Sequence, residues 1–184
     1  MSKPIDRNRI QASRPTFTQV DLILKDLKEV LGSGQLMLGR FLEQFEQEFA
    51  KQVGCRYAIG VNSCTTALEI TLRFLGVQQA EVLVPTNTFM ASVNACLFAG
   101  AQPVLTDINP ETLCLDKQNL LKSLTDRTRA VLLVHLAGLI PPDIEEIRAI
   151  CQERGVTLIE DCAHAHGATL KGTAAGAFGL SGCF

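Results

Sequence analysis

The sequence has few aromatic residues, at 5% Phe, Trp and Tyr, and it contains no Trp. Proteins that hold single-stranded nucleic acid use aromatic side chains as stacking platforms, so a role of that kind is disfavoured. The charge balance points the same way, because 17 Lys and Arg against 19 Asp and Glu leave a net charge of -2. Binding to a phosphate backbone needs a concentrated basic face. We therefore expect no nucleic-acid partner.

A long hydrophobic run is also lacking. The longest apolar stretch extends from Ala130 to Pro142 and contains His135, whereas a helix needs about 20 apolar residues to span a bilayer. Residues 1–15 do not contain the apolar segment of a secretory signal. We therefore predict a cytoplasmic protein with no membrane partner.

Paired cysteines are missing as well. The seven cysteines are an odd number and include no C-x-x-C pair, so neither a disulfide framework nor a zinc knuckle is favoured. We interpret them as reduced and mostly buried small apolar residues, which agrees with a cytoplasmic location. No metal site is predicted. The cysteines are Cys55, Cys64, Cys96, Cys114, Cys151, Cys162 and Cys183.

The chain does contain enough apolar residues for a packed core. Of its 184 residues, 47% are hydrophobic and 20% are charged, which excludes a disordered protein. The length corresponds to roughly one domain at about 150 residues per domain. No repeat, low-complexity segment or linker divides it.

Strands and helices are predicted to alternate along most of the chain. After a polar segment, 3.6-residue spacing of apolar residues predicts helices over Phe17–Leu31 and Arg40–Val53. Beyond these, strands that are apolar on both faces alternate with helices, which predicts a mostly parallel sheet with helices on both faces. The predicted strands are 57–61, 81–85, 102–106, 130–136 and 157–160, and the predicted helices are 65–75, 89–99, 116–124 and 142–154.

The residues that follow each strand are the functional candidates, because ligands bind beyond the carboxyl ends of such sheets. Ser63, Cys64 and Thr65 lie between a strand and a helix. Unpaired N–H groups and the partial positive charge of a helix start suit a phosphate group. The alternative is an ordinary helix cap by Ser63 or Thr65.

Two further strand ends carry groups that suit a pyridine ring. Asp161 can hold a cationic ring nitrogen, Ala163 is small enough to lie against a ring face, and His164 can donate to a phenolic oxygen. Phe89 can stack on a flat ring. Loop capping, local turn bonding and core packing are the structural alternatives for these residues. Taken together with the phosphate cradle, they predict a site for pyridoxal 5′-phosphate (PLP).

Several short stretches, in a fixed order, carry a resemblance to a known family. They are Gly39 with Phe45-Glu46, Phe49-Ala50 and Gly54; residues 62–68; Val84-Pro85 with Thr88-Phe89; Gly100-Ala101 with Pro103-Val104 and Asp107-Ile108; Val134-His135-Leu136 with Gly138; residues 160–168; and Gly176, Phe178-Gly179 and Gly182-Cys183-Phe184. From about Gly32 to Phe184 the chain resembles the DegT/DnrJ/EryC1/StrS sugar aminotransferases, which are fold-type-I PLP enzymes.

The resemblance implies a PLP-transferase-like α/β fold and a role for each candidate. Residues 1–31 would be an N-terminal arm and helix, and 32–184 would be part of the large PLP-binding domain, with the small C-terminal domain absent. Ser63, Cys64 and Thr65 would hold the cofactor phosphate. Phe89 and Ala163 would flank the ring, Asp161 would pair with its nitrogen and His164 would reach its 3-oxygen. Position 64 is often Gly in the family, and position 164 is often Gln.

The Schiff-base lysine of the family is expected beyond Phe184, so no catalytic residue is predicted within the chain. Lys171 corresponds to a different position and is interpreted as a solvated turn residue. The chain is therefore expected to be the amino-terminal fragment of an enzyme and to transfer an amine very poorly by itself.

The resemblance implies amino transfer from an amino-acid donor to a nucleotide-linked keto sugar, in sugar, polysaccharide or antibiotic biosynthesis, by a homodimer. Two alternatives stay open. One is a PLP-dependent sugar dehydratase of the same family, in which a histidine takes the place of the lysine. The other is a non-catalytic α/β module that binds only a ligand or partner.

Overall fold

The computed structural model describes residues 15–184, which divide into two compact units. The first unit, up to Glu43, contains helix α1 (Val20–Ser33), which ends where Gly34 adopts a φ of 69° and donates its N–H to the Leu31 carbonyl. Helix α2 (Arg40–Val53) begins in this unit and continues into the second. Both helices were predicted from apolar spacing, and both are confirmed.

The second unit, residues 44–184, alternates helices and strands as predicted. A short 3₁₀ turn, Leu136–Gly138, follows the third strand. The remaining helices are α3 Cys64–Phe74, α4 Met90–Phe98, α5 Lys117–Ser123 and α6 Ile144–Arg154. The strands are β1 Glu81–Pro85, β2 Gln102–Thr106, β3 Thr128–Val134, β4 Thr157–Asp161, β5 Thr169–Leu170, β6 Thr173–Ala174 and β7 Ser181–Cys183.

Five of these strands form one parallel sheet in the order β2-β1-β3-β4-β7, and β5 and β6 form a separate antiparallel pair. In the register of β3 against β4, Val134 lies opposite Asp161. The strand ends therefore meet at one edge of the sheet. Because the chain leaves β1 for β2 and returns to β3 on the opposite side, a switch point lies between β1 and β3, where ligands bind in sheets of this type.

Apolar residues are buried on both faces of the sheet, because successive side chains of a strand point to opposite sides. One face packs on α3 and α4, and the other packs on α5 and α6. Fully burying one such side chain contributes about 1.5–3 kcal/mol. The first face carries Val82, Val84, Leu132 and Ile159, and the second carries Leu83, Val131, Leu133 and Leu158.

The prediction of a strand over residues 57–61 was wrong. A strand requires a hydrogen-bonded neighbour, and within residues 15–184 no other strand pairs with this segment. Instead, Gly60 donates its N–H to the side chain of Glu46 at 2.7 Å, and Tyr57 and Ile59 are exposed. Alternation of apolar residues is typical of a strand, but it does not show whether another strand is available to pair with the segment.

A fully buried carboxylate, Glu160, joins the ends of β3 and β4 to the turn that precedes β7. It accepts hydrogen bonds from the N–H groups of Gly176, Phe178 and Gly179 at 2.6–2.8 Å, and His135 Nε2 lies 2.8 Å away. Since a carboxylate only accepts, His135 carries its proton on Nε2. The Glu160 network orders this part of the sheet edge.

Close backbone contact makes glycine necessary in the same turn. A Cβ at Gly182 would lie 2.3 Å from the Gly176 Cα, and a Cβ at Gly179 would lie 2.5 Å from the Leu158 carbonyl oxygen. Gly176 also has a φ of 88°, which side-chain-bearing residues rarely adopt. These contacts hold the turn tightly around the Glu160 carboxylate.

The cysteines are all unpaired, and five of the seven are buried, which confirms their interpretation as reduced core residues. Burial raises the pKa of the Cys96 thiol to about 12 and that of Cys151 to about 11, from an ordinary value of 9.0. These thiols therefore keep their protons in the folded state at neutral pH. Within residues 15–184, no helix has the length and hydropathy needed to cross a bilayer.

Replacing Glu160 with Gln should destabilise the fold. The amide puts an N–H donor where Gly176 and His135 already donate, which leaves buried donors without acceptors, and we expect a loss of about 3 kcal/mol in the free energy of unfolding. Urea unfolding followed by far-UV circular dichroism measures this. The control is Glu146→Gln on the exposed face of α6, expected within about 0.5 kcal/mol of the parent. Equal midpoints for the two variants would contradict the network.

Stability should fall as the pH rises above 9. The unfolded chain releases thiol protons near pH 9, whereas Cys96 and Cys151 retain theirs in the folded state. Each such thiol lowers the free energy of unfolding by about 1.4 kcal/mol per pH unit in that range. Urea unfolding at pH 8, 9, 10 and 10.5 tests the slope. Cys151→Ala should flatten it, and Cys55→Ala, at an exposed position, should not; identical slopes in all three proteins would refute the expectation.

Candidate functional site

A cavity of about 200 Å³ lies at the carboxyl ends of the strands, beside the switch point between β1 and β3. Its volume is below the roughly 300–1,000 Å³ of sites for drug-sized ligands, so it suits a single small ring. Six of the seven residues predicted to bind a cofactor line it, namely Cys64, Thr65, Phe89, Asp161, Ala163 and His164.

The seventh predicted residue, Ser63, caps helix α3 instead of lining the cavity. Its Oγ accepts the Thr66 N–H at 3.2 Å and lies 3.1 Å from the Thr66 hydroxyl. The N–H groups of Cys64 and Thr65, in the first turn of α3, find no acceptor within the described residues. The start of α3 therefore presents two unpaired donors and a positive dipole end at the rim of the cavity.

Asp161, the last residue of β4, is held by three different parts of the unit. Its Oδ2 accepts a hydrogen bond from Ser92 Oγ in α4 at 2.7 Å. Its Oδ1 accepts the Ala163 N–H at 3.2 Å, and the Cys64 thiol in α3 lies 3.5 Å from the same oxygen. The carboxylate is 7% exposed, so it is almost fully buried but still lines the cavity.

Phe89 presents an exposed ring at the mouth of the cavity. It stands immediately before α4, and its ring is 74% exposed although Phe is usually buried. Ala163 is also exposed at the cavity and has no side chain beyond its Cβ. The site therefore offers an exposed aromatic surface and a small residue, and a flat ring can contact both.

His164 is positioned by the 3₁₀ turn after β3. Its Nδ1 accepts the Ala137 N–H at 3.4 Å, so we assign its proton to Nε2. Ala137 adopts a φ of 52°, an uncommon conformation for a residue with a side chain. This arrangement leaves the Nε2–H group of His164 available as a donor at the cavity.

Cys64 places a thiol at the start of α3, where it lines the cavity. Its Sγ lies 3.2 Å from the Cys183 carbonyl oxygen as well as near Asp161. Burial raises the pKa of the Cys64 thiol, and the neighbouring Asp161 carboxylate raises it further. The group therefore stays a protonated donor at neutral pH and does not act as a nucleophile.

Sequence reasoning missed two residues that organise the site. Ser92 lies in a mostly apolar helix, and the structure shows that it is buried. The sequence signal that could have indicated it is a hydroxyl residue one turn after Phe89. Ala137 had no signal, because its positive φ depends on the packing of the turn against His164.

A second group of potential ligands, His135, Glu160 and Cys162, has donor atoms within 4.8 Å of one another. Both Glu160 oxygens are already saturated by four donors, as described above. Burial also raises the pKa of the Cys162 thiol, which disfavours the thiolate that metals require. We interpret this group as a structural hydrogen-bond network.

A larger cavity of about 370 Å³ lies elsewhere in the second unit and contains none of the predicted site residues. It is lined by the segment 57–61, by residues near the end of β7 and by an aromatic group in which Phe49 contacts Phe45 and Phe184. Lys171 lies in the exposed turn between β5 and β6 and borders neither cavity.

The chemistry of the smaller cavity fits a phosphorylated pyridine ring. Unpaired N–H groups suit a phosphate, a buried carboxylate suits a protonated ring nitrogen, and the Nε2–H of His164 suits a phenolic oxygen. An aromatic side chain at the mouth completes the set.

Two curated relatives resemble this chain. GDP-perosamine synthase of Escherichia coli O157:H7 is 39% identical over 142 residues, covering 77% of this chain and 39% of the relative. UDP-N-acetyl-3-dehydro-alpha-D-glucosamine 3-aminotransferase of Acidithiobacillus ferrooxidans is 38% identical over 165 residues, covering 89% of this chain and 44% of the relative. The chain thus spans about two fifths of the length of these relatives.

Solved structures show the same fold. An aminotransferase from Psychrobacter cryohalolentis superposes with a TM-score of 0.85 at 37% identity, covering 93% of this chain and 43% of that one. The Bacillus subtilis protein NtdA with bound cofactor PMP gives 0.80 at 36% identity, covering 93% and 41%. GDP-4-keto-6-deoxymannose-3-dehydratase (ColD) with bound GDP-perosamine gives 0.80 at 33% identity, covering 88% and 44%.

These matches confirm the predicted α/β fold, which the chain shares with PLP-dependent aminotransferases. The names of the two curated relatives each contain a nucleotide sugar. Since the family model matches residues 18–184, the chain belongs to the DegT/DnrJ/EryC1/StrS aminotransferase family.

Proposed function

We propose that the cavity at the strand ends binds PLP. The observation that carries this proposal is the convergence of Phe89, Asp161 and His164 with the start of α3 on one cavity of about 200 Å³. These groups come from separate parts of the chain, and each faces a different part of the same small ring. The bound cofactor of NtdA, a relative in fold and sequence, supports the choice of ligand.

Each residue has a distinct task in this proposal. The N–H groups of Cys64 and Thr65 bind the phosphate at the positive end of α3. Phe89 stacks on one face of the ring, and Ala163 leaves space on the other. His164 donates from Nε2 to the 3-oxygen.

Asp161 supplies the charge on which the chemistry depends. PLP, when bound, serves as an electron sink for a developing carbanion. The Asp161 carboxylate accepts the ring N–H and so keeps a proton on that nitrogen. Burial of this carboxylate at 7% exposure strengthens the contact, because little water competes for it.

For the whole protein we propose amino transfer from an amino-acid donor to a nucleotide-linked keto sugar. The names of the two curated relatives support this substrate class. We further propose a cytoplasmic homodimer, with 32–184 as part of the large domain. Of the arm and helix predicted over residues 1–31, residues 1–14 lie outside the described part of the chain.

Sugar dehydration is the second candidate, and a specific observation favours it. The dehydratase ColD has the same fold at a TM-score of 0.80 and 33% identity. In this alternative, a histidine takes the place of the lysine. Consumption of an amino-acid donor by the whole enzyme distinguishes transfer from dehydration.

The PLP proposal predicts that Phe89→Ala weakens binding of PLP about tenfold, because removing the stacked ring costs roughly 1.4 kcal/mol. Equilibrium dialysis of the full chain against PLP, followed by absorbance, gives the dissociation constant. The matched control is Phe74→Ala, which removes an equally exposed ring on α3 away from the cavity. An equal loss of PLP affinity in both variants, or no binding of PLP by the parent chain, would overturn the proposal.

Lys171 should not become covalently attached to PLP. It lies in an exposed turn and borders neither cavity, so its amine is not presented to a bound ring. After borohydride reduction of the PLP complex, peptide mass spectrometry should find Lys171 no more labelled than Lys122, another lysine outside the cavity. Selective labelling of Lys171, absent in Lys171→Ala, would make it the imine-forming residue.

A further inference from the structure

We propose that Ser92 is a positioning residue for Asp161 and that it governs recognition of the cofactor's ring nitrogen. The proposal rests on the PLP binding proposed above. Ser92 lies in α4 and does not line the cavity, so it acts on the ring only through the carboxylate.

The contact between the two residues is short and fully buried. Ser92 has 0% exposure, and its Oγ lies 2.7 Å from Asp161 Oδ2. Thr88 Oγ1 lies 2.7 Å from the same Ser92 oxygen. Because a carboxylate only accepts, Ser92 must donate its single hydroxyl hydrogen to Asp161, and Thr88 must donate to Ser92. The three groups form a directed chain of hydrogen bonds that ends at the carboxylate.

Ser92 is a buried hydroxyl residue in the first turn of α4. α4 is mostly apolar, and a buried serine within a helix commonly bonds to a carbonyl of the preceding turn. Ser92 instead reaches across to the end of β4. Its N–H donates to the Phe89 carbonyl at 3.1 Å, so the residue that precedes α4 carries the proposed stacking ring and the first turn of α4 carries the donor to Asp161.

The consequence concerns the orientation of the Asp161 carboxylate. Ser92 holds Oδ2, while Oδ1 is held by the Ala163 N–H, so rotation of the carboxylate is restricted before any ligand binds. A preorganised acceptor binds its donor more strongly, because less ordering is needed on binding. Removing the Ser92 hydroxyl should therefore weaken only the interaction with the ring nitrogen.

The test compares PLP with 1-deaza-PLP, in which a C–H group replaces the ring nitrogen. Dissociation constants of both ligands are measured by equilibrium dialysis for the full chain and for Ser92→Ala and Ser92→Thr. The parent should prefer PLP. Ser92→Ala should reduce this preference about tenfold, mainly through weaker PLP binding, and Ser92→Thr should restore most of it because it keeps the hydroxyl.

The ratio of the two dissociation constants separates positioning from folding. Any loss of folded protein weakens the apparent binding of both ligands equally and leaves the ratio of their dissociation constants unchanged. In an Asp161→Asn background, the Ser92→Ala change should have no further effect on the ratio, since the group through which Ser92 acts is gone.

The outcomes distinguish this inference from the proposal on which it depends. Suppose that the parent prefers PLP and loses this preference in Asp161→Asn, while Ser92→Ala weakens the binding of both ligands equally. In that case the role of Ser92 is only structural, and the inference is overturned. If the parent binds neither ligand, the PLP proposal itself fails, and the inference fails with it. A tenfold change in the ratio that disappears in the Asp161→Asn background supports both.

Discussion

The end of strand β4 places two buried carboxylates in successive positions, and the surrounding structure depends on how they are separated. Successive side chains of a strand point to opposite faces, so Glu160 and Asp161 face different layers. Glu160 accepts four hydrogen bonds and ties the sheet edge to the turn before β7. Asp161 faces α3 and α4, where side chains from both helices approach it. The hydrogen bonds of the Glu160 carboxylate are thus all made within the fold, whereas the Asp161 carboxylate lines the cavity.

The residues of the candidate site are held in place by packed strands and helices that are distant in the sequence. Asp161 and Cys64 are 97 residues apart in the chain, and Asp161 and Ser92 are 69 apart. Their meeting depends on the parallel sheet, which brings the carboxyl ends of β1, β3 and β4 to one edge. A ligand at this edge contacts groups whose positions are determined by packed strands and helices and not by loops alone.

Cys64 stands at a position where the resemblance stated above leads us to expect glycine. Its thiol lies between the start of α3, the end of β7 and the Asp161 carboxylate. Glycine at this position would leave that space open. The thiol instead adds a weak donor beside the carboxylate, and burial together with the neighbouring charge raises its pKa, so that it stays protonated. The Cys64 side chain therefore occupies space in the cavity beside Asp161 without adding a nucleophile.

Features that depend on local periodicity and on residue order could be predicted from the amino-acid sequence. Apolar spacing predicted helices such as α2 and strands such as β1, because residues a few positions apart share a face. The rule that ligands bind at strand ends then selected Phe89 and Asp161, which do line one cavity.

Features that depend on contacts between distant segments could not be predicted in this way and are visible only in the folded chain. Segment 57–61 alternates like a strand, yet no strand within residues 15–184 pairs with it. Ser63 turned out to cap α3, and Ser92 to hold Asp161, because a hydroxyl bonds to whichever group the fold brings near. Hydrogen bonds of this kind are short-range and directional, so their partners follow from three-dimensional packing and leave little trace in residue spacing.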